Sequence, residues 1–277
     1  MNNADLIITE PAETYHGKKG RYLSSHALTD FRACPAFYLA KRNGLVPDRD
    51  TDEYKLGRAT HALGLEGRDV YEREFLVGNH APINKTTGKP YKPPSQKYED
   101  WVASEPRAIL TDHEGMLVER MALAIKTHPA ASYLIDGNGT PEAVVRAECY
   151  GRPCQIRIDY LTAGGTLVDL KTTKNLDGFA ASINRYGYAH QSAFYRDVAR
   201  AAGLNLSGVS FIVAVEKDEK NRCGVFALEP AVLDRASAEN AAAVQYLSMC
   251  EHHDHWPTGY EDVRAFTLSD FAPKETA

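Results

Sequence analysis

Hydrophobic and polar positions alternate most clearly in the middle of the chain. From Pro141 to Tyr150, Ala143, Val145, Ala147 and Cys149 alternate with Glu142, Val144, Arg146 and Glu148, the period-two pattern of a strand. Arg152-Pro153 breaks it, and Gln155 to Thr173 then reads QIRIDYLTAGGTLVDLKTT, two alternating runs around a Gly-Gly loop. A three-residue loop over Ala163 to Gly165 puts a glycine where a left-handed residue is wanted. That register sets Leu161 opposite Leu167 and Asp159 opposite Asp169, whereas a four-residue loop would shift it. On the second run Asp169 and Lys171 share one face, and Val168 and Leu170 point to the other.

Around these strands the pattern is helical. Residues 1–21 are polar with little periodicity and read as an arm or a loose first strand. A helix starts at Ser24 or Ser25, with Ala27, Leu28 and Phe31 on one face. Pro35 ends it near Ala33 or opens a second helix carrying Phe37, Tyr38 and Leu39. Tyr54 to Leu65 puts Leu56, Ala59 and Leu63 on one stripe. Gly78 to Pro94 reads as a flexible basic loop. Thr111 and Glu114 form a capping box for a helix to about Thr127, with Leu117, Met121 and Ile125 buried. After Lys171 a helical stretch runs from about Leu176 to Ala202, with Gly187 placed to interrupt it. Val209 to Val215 reads as a strand buried on both faces, Val225 to Leu228 as another strand, and Ala231 to Leu247 as a helix.

Composition narrows the class more than the chemistry. With 277 residues, 43% of them hydrophobic, the chain can bury one large core or one core with an appendage. No apolar run approaches the ~20 residues of a membrane span. The opening MNNADLIITEPAE lacks the charged-then-apolar pattern of a signal peptide. Five cysteines without CxxC spacing suit free thiols in a reducing cytoplasm. The net charge of −5 gives no overall basic footprint for nucleic acid, although an enzyme can concentrate basic groups in one channel.

The hairpin is where charge becomes chemistry. Like charges facing across a ladder destabilise it unless something compensates. A divalent cation would, because Mg²⁺ is held by one or two carboxylates together with waters and phosphate oxygens. A neighbouring lysine suits a site that stabilises a phosphate or activates water. A surface hairpin with an Asp–Lys salt bridge explains the same residues. His61, among small and apolar neighbours, reads on its own as a satisfied core or surface histidine. The tail sequence His252-His253-Asp254-His255 lies at a helix end and does not converge on one point, so no metal site is expected there. Gln191 and Tyr195, four apart, share one helix face.

Five stretches in order resemble the PD-(D/E)xK nuclease superfamily, and most closely the RecE-type phage and prophage exonucleases. They are LGRATHALGLEG (56–67), PEAVV (141–145), RIDY (157–160), LVDLKTT (167–173) and YGYAHQSAFYRD (186–197), with WPTGY (256–260) a weaker echo. The resemblance implies an α/β restriction-endonuclease-like core, a mixed central sheet flanked by helices. Residues 1–50 would be an N-terminal arm with helices, and 51–277 the exonuclease domain. It makes Asp159, Asp169, Glu142, His61 and the backbone carbonyl of Leu170 metal ligands, and Lys171 the group that orients or activates the attacking water. Gln191 and Tyr195 would border the site, while Glu148 matches nothing in the motif. Ile158 stands where the superfamily often has Pro. Arg32-Ala33-Cys34-Pro35 is similar to relatives that hold an iron–sulfur cluster, but only Cys223 and Cys250 follow at the C-terminal end, so no such cluster is expected.

The activity so implied is a Mg²⁺-dependent exonuclease, with Mn²⁺ as a substitute ion, that digests the 5′-ended strand of linear duplex DNA. It would leave 3′ single-stranded tails for a strand-annealing partner, work as a ring-shaped trimer or tetramer, and act in the cytoplasm of a bacterial host, with no membrane partner. Arg58, Lys85, Lys89, Lys92, Lys174 and Arg185 are the candidates for DNA contact. An endonuclease or single-strand nuclease on the same core, and a non-catalytic DNA-end-binding recombination protein, are the alternatives.

Overall fold

Local signals set most helix ends in the computed structural model, which describes residues 3–47, 51–135 and 137–268. A 3₁₀ turn at Asn3–Leu6 and helix α1 (Ala12–Gly17) precede α2 (Ser25–Ala33) and α3 (Pro35–Arg42). Ser24 caps α2 by accepting a hydrogen bond from the Ala27 N–H at 3.3 Å, and Pro35 occupies the first turn of α3. Next come α4 (Asp52–His61), one π-turn at Ala62–Glu66, α5 (Arg68–Glu74) and β1 (Phe75–Val77). They are followed by α6 (Gln96–Ser104), β2 (Ala108–Leu110), α7 (Asp112–Thr127) and α8 (Pro129–Leu134). The Thr111–Glu114 capping box opens α7, as the sequence predicts.

The second half carries the main sheet. It comprises β3 (Thr140–Cys149), β4 (Arg152–Leu161), β5 (Leu167–Thr173), then α9 (Phe179–Arg185) and α10 (Tyr188–Ala201). Strands β6 (Ser210–Glu216) and β7 (Cys223–Leu228) and the long α11 (Pro230–His253) complete it. Gly187, at φ +67°, separates α9 from α10, a backbone conformation that glycine adopts without a steric cost. Strand order is β3-β4-β5-β6-β7, and only the β5–β6 pair is parallel. The sheet is therefore mixed and the fold α/β, with helices packed against it. A separate two-stranded parallel sheet joins β1 and β2.

Two apolar layers hold the sheet. In one, Ile156, Ile158, Ala143 and Val145 pack with Leu28, Phe31, Phe194 and Val198 of α2 and α10. In the other, Val168, Leu170, Val213 and Val215 pack with Leu56, Leu63, Met121 and Ile125. Ile158 and Tyr160 should share a layer by simple alternation, yet Ile158 belongs to the first and Tyr160 to the second. The alternation breaks at Asp159.

Three expectations change. Residues 3–21 are packed on the sheet, with a short helix in place of a loose strand: α1 buries Tyr15, Ile8 bridges Val144, and Glu10 pairs with Arg146. A six-residue helix like this is held by tertiary contact, not by a pattern visible locally. The basic segment 78–94 is a built loop, with the Thr87 and Gly88 N–H groups donating to the Asn84 carbonyl and Ile83 bridging Pro90. Helix α11 runs on to His253, past the predicted end at Leu247. Among the described residues, no helix is long and apolar enough to cross a membrane.

Candidate active site and metal centre

The β4–β5 hairpin has the expected turn. Gly165 sits at φ +77°, its N–H donates to the Thr162 carbonyl at 2.9 Å, and Leu161 pairs with Leu167. The ladder then stops after the Tyr160–Val168 pair. Beyond it the Leu170 N–H donates to Asp159 Oδ2 at 2.8 Å. A side chain thus takes the donor that the next rung would have used, so the predicted Asp159–Asp169 rung does not form.

On the other side of β4 the ladder also misses one rung. Pro141 pairs with Tyr160 and Ala143 with Ile158, but Glu142, between them, has φ +51°. Non-glycine residues there are uncommon, and such strain clusters at functional sites. Glu142 and Asp159 meet at this distortion, and helix α4 brings His61 to them. His61 Nδ1 lies 3.7 Å from Glu142 Oε1 and 3.8 Å from Asp159 Oδ2. Its Nε2–H faces the Leu170 carbonyl at 2.8 Å. The π-turn begins at the next residue, a local change of helix pitch often found at functional sites.

His61, Glu142 and Asp159 can present ligand atoms that all lie within 4.8 Å of one another. One imidazole and two carboxylates fit a divalent cation. Burial alone would lower the His61 pKa, but Asp159 and then Glu142 raise it to about 9. That is the signature of an acidic pocket asking for positive charge. Leu170 presents its carbonyl to His61 here.

Asp169 stands beside this group and not in it. Lys171 Nζ lies 2.6 Å from both of its oxygens, and Gln191 Nε2 donates to Oδ1 at 3.1 Å and to the Tyr195 hydroxyl at 3.3 Å. Burial pushes the Asp169 carboxyl up, to about 6, against the pull of Lys171 and with the help of the Asp159 charge. For Lys171, burial opposes the charge, but Asp169 and Asp159 prevail and keep the ammonium protonated. Lys171 also lies 5.1 Å from the centre of the Tyr188 ring. Tyr195 is buried, which raises its hydroxyl pKa. The structure therefore joins all the predicted polar side chains of the site in one neighbourhood, as a three-residue ligand group and an Asp–Lys–Gln–Tyr chain in which Asp169 and Tyr195 are buried and Lys171 and Gln191 half-buried. Arg58, Lys85, Lys89, Lys92, Lys174 and Arg185 are all exposed. Glu148 is exposed on β3, opposite Pro153.

Two residues at the site escape the sequence reading. Arg157 Nε lies 2.7 Å from Glu142 Oε2 and fixes that carboxylate from β4. It stands two residues before Asp159, and strand periodicity could have pointed to it. Glu66 ends the π-turn, and burial, followed by the Glu142 charge, raises its pKa to about 7. Its place in the stretch 56–67 was the only available signal.

A mixed sheet distorted to gather these carboxylates, with a lysine two residues beyond one of them, defines a PD-(D/E)xK-type nuclease core. The chain belongs to the family described as a PDDEXK-like domain of unknown function (DUF3799), whose model matches residues 24–268. Its fold is similar to that of a solved structure from Eubacterium rectale called "Putative exonuclease", with a TM-score of 0.64 and 15% identity over 97% of this chain and 100% of that one. No curated protein matches the chain.

Proposed function

We propose that this protein is a Mg²⁺-dependent exodeoxyribonuclease that digests the 5′-ended strand of linear duplex DNA and leaves 3′ single-stranded tails. The observation that carries the reading is the ligand group His61, Glu142 and Asp159, within 4.8 Å, beside the Asp169–Lys171 pair. When bound there, a divalent ion supplies Lewis-acid stabilisation of the phosphate and a water of lowered pKa. His61, Glu142 and Asp159 would hold it, with Asp169 and the Leu170 carbonyl within the same neighbourhood.

The chain's own residues do the rest. Lys171 places a fixed positive charge where the pentavalent phosphate gains negative charge, in a buried setting where such charge counts most. Asp169 holds that ammonium, and Gln191 holds Asp169 while bonding Tyr195. Arg157 keeps Glu142 facing His61. The exposed Arg58, Lys85, Lys89, Lys92, Lys174 and Arg185 are the proposed contacts to the phosphate backbone. Duplex ends, a strand-annealing protein and further copies of the chain in a trimeric or tetrameric ring are the proposed partners, in a bacterial host cytoplasm and with a phage or prophage origin.

The test is digestion of linear and covalently closed circular duplex with Mg²⁺, using substrate labelled at either the 5′ or the 3′ end. Early release of the 5′ label, with the circle resistant, is the expected result. Cutting of the circle would establish an endonuclease instead. Intact linear duplex with both wild type and Lys171→Ala would remove the nuclease reading.

A further inference from the structure

A row of ring contacts leads from Lys171 to the protein surface. Lys171 Nζ lies 5.1 Å from the centre of the Tyr188 ring. The Tyr188 and Tyr186 rings are 5.7 Å apart, with their planes inclined by 33°, and the Arg185 guanidinium lies 5.7 Å from the centre of the Tyr186 ring. A cation against an aromatic face is attracted to it, so each end of the row is held by a charge. Tyr188 is half-buried and backed by Phe179 at 6.0 Å. Tyr186 is 56% exposed. Among the described residues its hydroxyl has no hydrogen-bond partner, and Arg185 has no carboxylate partner.

The backbone fixes this exposed ring. Tyr186 ends α9, its N–H donating to the Ser182 carbonyl at 3.0 Å. Gly187 then turns the chain at φ +67°, and α10 starts at Tyr188. One turn into α10, Gln191 holds Asp169. The segment that presents the ring is therefore continuous with the one that borders the site. A tyrosine orders only two side-chain torsions, so it offers a large flat face at low entropic cost.

A flat ligand that arrives with a phosphate suits such a face, and a nucleobase is one. Stacking of bases on aromatic side chains is tolerant of sequence because every base has a π-face. Inside a duplex both faces of a base are covered by its neighbours. A free face belongs to the last base of a strand or to an unpaired base. Successive stacked nucleotides advance by about 3.4 Å, so a base one or two nucleotides from a phosphate at Lys171 can reach Tyr186. Arg185, against the same ring, adds charge for the accompanying phosphate.

We propose that Tyr186 is a base-stacking platform whose ring takes the free face of a base close to the phosphate held at Lys171. The platform rests on the nuclease reading for its substrate class. It adds to that reading a part that distinguishes the end of a strand from its interior, which a phosphate contact alone cannot do. The base is either the paired terminal one or an unpaired one, and the two can be separated.

The experiment measures binding by fluorescence anisotropy, with Ca²⁺ replacing Mg²⁺. Wild type, Tyr186→Ala and Tyr186→Phe are compared on blunt duplex and on duplex with forked, unpaired ends. Each substrate is also made with abasic nucleotides in place of the last two bases of every strand end. Tyr186→Ala should bind roughly 5- to 150-fold more weakly than wild type, the range of one base–aromatic stack, and Tyr186→Phe should bind like wild type. Abasic ends should weaken the wild type by a similar factor and leave Tyr186→Ala unchanged. A loss on blunt duplex assigns the platform to the terminal base, and a loss confined to forked ends assigns it to an unpaired base. Unchanged affinity of Tyr186→Ala on both substrates overturns the platform, as does a loss that persists in full on abasic ends. Should Tyr186→Ala fail to fold, equal binding of intact and abasic ends by the wild type is decisive against it. A wild type that requires the terminal bases yet never cuts with Mg²⁺ keeps the platform and rejects the nuclease. One that cuts but binds intact and abasic ends equally does the reverse.

Discussion

The Leu170 backbone N–H donates to the carboxylate of Asp159 at 2.8 Å, at the point where the β4–β5 ladder ends. One hydrogen bond thereby opens the sheet and orients a candidate ligand at once. Asp159→Asn can still accept that bond but loses the charge. The expected outcome is a fold close to wild type by circular dichroism, with Mn²⁺ binding by calorimetry weakened at least tenfold. Undiminished heat would show that Asp159 is no ligand.

Lys171→Ala removes the cation from a buried carboxylate and the positive charge from the phosphate site. By analogy with the loss of one oxyanion donor, the rate on linear duplex should fall about 10²–10³-fold. Gel assays under single-turnover conditions measure this. A loss below tenfold would place the stabilising charge elsewhere.

Arg157 acts through Glu142 and is a positioning residue. Arg157→Gln frees that carboxylate from its 2.7 Å partner. Supporting contacts of this kind typically change metal affinity by roughly 10–100-fold. Titration with Mn²⁺ should show weaker binding, and saturating metal should restore most of the cleavage rate. Failure of excess metal to restore it would mean that Arg157 contacts the substrate itself.

A separate pair controls acid stability. Glu216 is buried on β6, accepts from the Leu176 N–H at 2.8 Å, and takes hydrogen bonds from Arg222 Nε and Nη2 at 2.8 and 2.6 Å. Arg222 pulls the carboxyl from its ordinary 4.5 down to about 2, against the effect of burial. A depressed folded-state value stabilises the protein above the unfolded value, and that contribution disappears as pH falls from about 4.5 toward 2. Because Arg222 is 40% exposed, solvent screening reduces the contribution to about 1–2 kcal/mol. Glu216→Gln should therefore be less stable than wild type at pH 6 and converge with it near pH 2 in urea unfolding. A gap independent of pH would contradict the linkage.

Gly165 offers a purely structural test. A Cβ there would lie 2.2 Å from the Asn205 carbonyl oxygen, at a backbone φ of +77°. Gly165→Ala must shift the backbone of one segment, with an expected loss of at least about 2 kcal/mol in chemical denaturation. A loss under about 0.5 kcal/mol, the usual range of a surface substitution, would show that the hairpin moves freely.

The residues that were legible in advance carry local rules. Alternation located β3, β4 and β5, the capping box located the start of α7, and Gly187 marked the break between α9 and α10. The Asp169–Lys171 pair followed from period two alone. His61 did not: on its own it reads as a core or surface histidine, and what places it at Glu142 is the packing of α4 on β5 and of the following π-turn on β3. The Glu142–Arg157 pair, the premature end of the β4–β5 ladder and the burial of Tyr15 all depend on contacts distant in sequence. No window of the chain encodes them.

Glu142 leaves one consequence. Its backbone favours glycine or asparagine, whereas its position beside His61 and Asp159 favours a carboxylate. A left-handed conformation costs a non-glycine residue about 1–2 kcal/mol, and in the absence of a cation the side chain also faces Asp159. Glu142→Gly relieves the backbone strain but leaves the Arg157 guanidinium without its carboxylate, so it should yield a protein that no longer cuts and melts within a few degrees of the wild type, the two effects offsetting each other. The backbone at this one position and the ligand group around it therefore ask for different residues, and glutamate answers the ligand group.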